Sequence, residues 1–141
     1  MELTDLIVDD KMAQEGVWVP IGDGAEVKVA YSDSPEFIRK RGRMLKPYMN
    51  LPQRSIAPDG VPSPEVQAVS RKLVLEYILL DWRGIMMKGV EVPYSKEKAA
   101  EFLKIKPFFE MVEKAAGELA NFRVEQAEDD QKNSEPPSAG S

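Results

Sequence analysis

Cysteine and histidine are both absent from this 141-residue chain. Without cysteine there is no disulfide framework and no thiol chemistry, which suits a reducing cytoplasm. Without histidine the commonest general base is missing, and the two absences together remove the main zinc ligands. A glycine-rich phosphate loop, a G-x-S-x-G elbow and a spaced acidic calcium loop are missing too. Long apolar runs are lacking as well: the longest, Leu73 to Leu80, is interrupted by Glu76 and is far too short to span a bilayer. No charged-then-apolar signal segment opens the chain, since Met1 to Asp10 carries four acids. These absences predict a non-enzymatic protein with no catalytic residue, cofactor, metal or membrane partner. The adjacent pairs Asp9-Asp10 and Asp129-Asp130 read as solvated acids.

Net positive charge is also absent. The formal charge is −5 and the sequence pI about 4.9, so no overall field draws in nucleic acid. The one basic cluster, Arg39, Lys40, Arg41, Arg43 and Lys46, reads as a solvated helical face.

What is present is a 43% hydrophobic content, enough for the modest core of one domain. Residues Met1 to Gly16 are acidic and weakly patterned. Val17, Val19 and Ile21, then Val27, Val29 and Tyr31, alternate with other residues on either side of Gly22-Asp23-Gly24. Two period-2 runs around an Asp-Gly turn predict a β-hairpin over about 17–31. Pro20 makes its strand an edge or points outward. A lone hairpin is marginal in water, so its apolar face must pack on something else.

Helices follow. Ser34-Pro35-Glu36 starts one over about 35–46, weakened at Gly42 and ended or kinked by Pro47. Met49 to Val61 is a connector. Ser63-Pro64-Glu65 then opens the strongest helix, about 64–82, with Val66, Val69, Leu73, Tyr77 and Leu80 on a broad stripe. Residues 85–94 make a second small hairpin or an extended loop. Ser95 caps a short helix over about 96–105, and Pro107 starts the last, about 107–123, with Phe108, Met111, Val112, Ala115, Leu119 and Phe122 on one face. Residues 124–141 are acidic, then rich in Ser, Pro and Gly, and are expected to form a disordered tail beyond a folded domain of residues 1–123. The expected class is α+β, mainly α: a bundle of about four helices carrying an N-terminal hairpin.

One constellation has two readings. Trp82, Gly84 and Ile85 form a W-x-G-I turn; Gly89 follows, then Val92-Pro93-Tyr94-Ser95 leads into a helix, and Asn121-Phe122 closes the last one. As architecture, Trp82 and Phe122 are core residues and Gly84 stops a helix. As a surface, Trp82, Gly84, Ile85, Tyr94 and Phe122 are candidate partner-binding positions. In order and spacing this series resembles the tail assembly chaperones of long, non-contractile-tailed bacteriophages and prophages. Upstream, Glu15-Gly16-Val17-Trp18-Val19 and Gly22-Asp23-Gly24-Ala25, with Lys28 and Ala30, match the acid-glycine pair, tryptophan and glycine turn near the start of such proteins. The likeness covers about Glu15 to Phe122.

The resemblance implies a chaperone that binds the phage tape-measure protein. It would keep that protein soluble in the host cytoplasm while tail-tube subunits polymerise, and would be absent from the finished virion. It also implies a longer product made by programmed frameshifting. Gln131-Lys132-Asn133 is compatible with a slippery heptamer, which the codons would decide. That longer form, the tail tube protein and a second copy of the chain are further candidate partners. The rival expectation is a structural head–tail connector or minor tail component.

Overall fold

The computed structural model describes residues 1–49 and 61–124. The expected connector falls largely in 50–60, and the expected tail with the Gln131-Lys132-Asn133 stretch in 125–141; both lie outside the described residues.

The N-terminal hairpin is present. Strand β1 (Val17–Gly22) pairs antiparallel with β2 (Ala25–Val29), with Asp23 and Gly24 both at positive φ in the turn. That backbone is what a tight hairpin turn requires, and Asp-Gly is a favoured pair for it. Pro20 is exposed on β1, an edge strand as its missing donor demands.

The hairpin finds its support in a third strand, which corrects the expected helix over 64–82. Helix α3 spans Pro64–Leu73, capped by the Ser63 hydroxyl accepting from the Val66 amide; one widened π turn covers Val74–Ile78. The chain then extends as β3 (Leu79–Arg83) and pairs with β2, Val27 opposite Trp82 and Val29 opposite Leu79. Leu79, Leu80 and Trp82 satisfy helical spacing as well as strand spacing. The open edge of β2 decides between them, because its backbone groups need partners. The result is a β1-β2-β3 sheet with helices packed on it, rather than the expected four-helix bundle.

Its inner face brings Val17, Val19, Val27, Val29, Leu79 and Trp82 against Leu73, Phe102, Val112 and Phe122. Its outer face carries Trp18, with the Arg83 guanidinium 4.1 Å above the ring, and the exposed Arg83–Glu26 ion pair at 2.9 Å. Helix α1 (Asp10–Glu15) and a 3-10 turn (Leu3–Leu6) precede the sheet, in a region where the sequence pattern predicts no element. Asp9 caps α1 through the Met12 amide at 2.9 Å.

Helix α2 runs Pro35–Met49, past Pro47, which costs an internal hydrogen bond only in the last turn. Residues 85–94 form the small hairpin: β4 (Met86–Met87) pairs with β5 (Val90–Glu91) around Lys88 and Gly89, both at positive φ. Helix α4 spans Lys96–Phe102, with Ser95 capping the Lys98 amide. Helix α5 spans Lys106–Gly117, shorter than the expected 107–123. Its end is fixed by side chains: Asn121 donates to the Ala115 carbonyl, and Ser32 donates through amide and hydroxyl to Ala116. A 3-10 turn (Leu119–Asn121) follows. Arg123 and Val124 are then tied back to the N-terminal segment, Arg123 bridging Val8 and the Val124 amide donating to Ile7.

Candidate partner-binding site

The five positions singled out by sequence do not form one surface. Trp82 is buried at 3% exposure. Its ring stacks on Phe102 at 5.3 Å and meets Tyr94 and Phe108 edge-on at 5.1 and 6.0 Å, while its indole N–H donates to the Val92 carbonyl at 2.8 Å. Such a cluster satisfies both halves of the indole, apolar face and polar edge. Tyr94 is half-buried, its hydroxyl reaches the Leu79 carbonyl at 3.4 Å, and burial pushes its pKa above the usual phenol value. Ile85 is half-buried and accepts from the Val92 amide. Gly84, at φ +73°, passes so close to the first hairpin turn that a Cβ would lie 2.6 Å from the Gly24 carbonyl oxygen. Trp82, Ile85 and Tyr94 hold β3 to the small hairpin, and Gly84 lets the chain cross the first hairpin turn. Phe122 lies apart from them, fully buried beneath Tyr31 with ring centroids 4.8 Å apart.

The open surface lies elsewhere. A groove of about 370 Å³ runs between α3 and the α4–α5 corner. One wall holds Val61, Pro62, Val66, Gln67, Ser70 and Arg71; the other holds Leu103, Lys104, Lys106, Phe109, Glu110 and Glu113. Val61, Pro62, Val66, Leu103 and Phe109 supply its apolar surface, and charges of both signs line it beside them. A smaller cavity of about 120 Å³ adjoins it, sharing Ser70 and Glu113 and reaching Arg41 of α2. The sequence stripe put Val66 on an inner face and left Phe109 unassigned. The Phe108-Phe109 doublet is the signal for this groove: neighbours on a helix point about 100° apart, so two adjacent rings reach different surroundings. Phe108 packs on Trp82 while Phe109 lines the groove. Met111, expected on the inner face, is exposed instead.

At the junction of the two cavities, partial desolvation and the neighbouring Glu110 push the Glu113 carboxyl above its usual pKa. A raised acid pKa means the fold favours the protonated form. Its stabilising contribution is complete below the unfolded carboxyl pKa and is lost as pH rises through the higher folded value. Glu113→Gln should therefore match the native chain in chemical denaturation near pH 4 and exceed it at pH 7. A variant less stable than the native chain at pH 7 would show that the ionised carboxylate is wanted there.

Among the described residues no group of three or more acids is placed to hold a metal ion, and no helix is long and apolar enough to cross a membrane. The fold and groove define a small mixed helix-and-sheet protein with an open apolar cleft. Residues 32–133 match the family described as YdaY prophage protein, and the chain belongs to that prophage-encoded family. Neither a curated protein nor a solved structure matches it.

Proposed function

We propose that this prophage protein is a non-enzymatic tail assembly chaperone that binds the tape-measure protein and keeps it soluble. The observation that carries the reading is the groove between α3 and α5, an open cleft lined by Val66 and Phe109 together with Arg71, Lys104, Lys106 and Glu110. A tape-measure protein is a long helical chain with an apolar stripe and no core of its own. An apolar groove that also carries charges of both signs can cover such a stripe, while the charges stay hydrated. The series from Trp82 to Phe122 supports the same assignment as a resemblance, and Trp82, Gly84, Ile85, Tyr94 and Phe122 do not line the groove.

Holding of this kind rests on buried apolar area and mass action. Calorimetry of the chain against a soluble helical segment of the tape-measure protein should show a negative heat-capacity change and weak salt dependence, with neither nucleotide nor metal required. Val66→Asp or Phe109→Asp, each placing a charge on an apolar wall, should lower affinity at least about tenfold. Binding that survives both substitutions would remove the groove from the account. The connector alternative makes a separate demand: mass spectrometry of purified particles should find the chain in fixed stoichiometry. The chaperone reading requires its absence there.

A further inference from the structure

Among the described residues helix α2 is held along one side, by Phe37 and Met44 against the core and by Lys40 over the Tyr77 ring. Of its described side chains only Phe37 is buried; Met44, Leu45 and Tyr48 are half-buried, and Ile38 is 40% exposed. Gly42 and Pro47 both weaken the helix, and Arg39 and Arg43, one turn apart, repel. A helix of this length with so little burial is marginal in water. Its exposed side is basic, with Arg39, Arg43 and Lys46 at i, i+4 and i+7, and Glu36 is its only acid. None of these three bases makes an ion pair among the described residues.

The complementary surface is on the same molecule. Met1 to Glu15 carries five acids against a single lysine. Asp10 and Glu15 are exposed and take part in no ion pair among the described residues. Leu3, Leu6 and Ile7 are exposed in the same arm. Arm and helix border one cleft of about 200 Å³, with Ala13 and Gln14 of α1 on one wall and Glu36, Phe37 and Lys40 of α2 on the other. Asp10 lies one helical turn before Gln14, so it shares that side of α1.

We propose that this face is a self-complementary dimer surface. The acidic, leucine-bearing arm of one copy lies along the Arg39–Arg43–Lys46 stripe of α2 in a second copy, and the reverse contact forms at the same time. A two-fold axis lets each copy's arm meet the other copy's stripe, which closes the assembly at two. Leu3, Leu6 and Ile7 supply apolar area against Ile38, and the charges set the register. The inference is independent of the groove and of its occupant.

Sedimentation of the full chain at low salt should show a concentration-dependent dimer that weakens as salt rises. Reversing the basic stripe (Arg39→Glu, Arg43→Glu, Lys46→Glu) or the acidic arm (Asp5→Lys, Asp10→Lys, Glu15→Lys) should weaken dimerisation roughly 100-fold, since six symmetry-related pairs are lost. Mixing the two reversed chains should restore a heterodimer, because each then presents what the other lacks. That recovery also shows that both variants are folded. A native chain that stays monomeric at every concentration overturns the proposal. So does a dimer indifferent to reversal, or reversed chains that are folded by circular dichroism and fail to pair on mixing.

Discussion

Trp82→Ala is expected to destabilise the fold by about 3–5 kcal/mol, the usual cost of removing a buried tryptophan. In a chain of this size that lowers the melting temperature by roughly 10 °C or more. The indole is the hub of four rings and its N–H satisfies the Val92 carbonyl, so truncation opens a cavity and orphans an acceptor together. Trp82→Phe separates the two effects. It keeps much of the stacking on Phe102 and loses the hydrogen bond, and should cost about 1–3 kcal/mol. Were Trp82 a partner-facing residue, thermal denaturation of the alanine variant would overlay that of the native chain while binding fell. Its 3% exposure argues for the first outcome.

Gly84→Ala should be the second large loss, about 2–4 kcal/mol, although it adds only one methyl group. Two costs combine. At φ +73° an L side chain is strained, and its Cβ would approach the Gly24 carbonyl oxygen to 2.6 Å and the Ala25 Cα to 3.2 Å. Both neighbours are backbone of the β1–β2 turn and cannot swing aside as a side chain can. Gly89 provides the control. It has φ +79° but nothing among the described residues within 4 Å of its Cβ position, so Gly89→Ala should cost only the conformational part, about 1–2 kcal/mol. Equal losses at the two glycines would mean that β3 does not cross the hairpin turn as closely as described.

Much of the fold is legible in the sequence where the signal is local. Asp23-Gly24 between alternating valines marks the hairpin, and Ser34, Ser63 and Ser95 mark three helix starts, each of them capping as expected. What was not legible depends on partners distant in sequence. Leu79 to Trp82 reads as the end of a helix until β2 offers an edge. The end of α5 is set by Ser32, eighty-four residues away from Ala116. The N-terminal 3-10 turn and α1 are organised by contacts such as the Asp9 amide on the Phe122 carbonyl, which no local pattern announces.

The candidate site divides in the same way. Trp82, Gly84, Ile85, Tyr94 and Phe122 stand out because large aromatics and turn glycines are conspicuous, and conspicuous residues of this kind are mostly architectural. Val66 and Phe109 line the groove without any motif, since an open cleft is made by what two helices leave between them.

The central claim is tested most directly by co-expressing this chain with the tape-measure protein of the same prophage and measuring how much of that protein stays soluble. The account predicts that the tape-measure protein moves from the pellet to the supernatant and co-purifies with the chain without added nucleotide or metal. Val66→Asp, which changes a groove residue outside the core cluster, should leave the chain folded by circular dichroism and return the tape-measure protein to the pellet. A tape-measure protein that precipitates equally with and without the native chain would contradict the chaperone assignment.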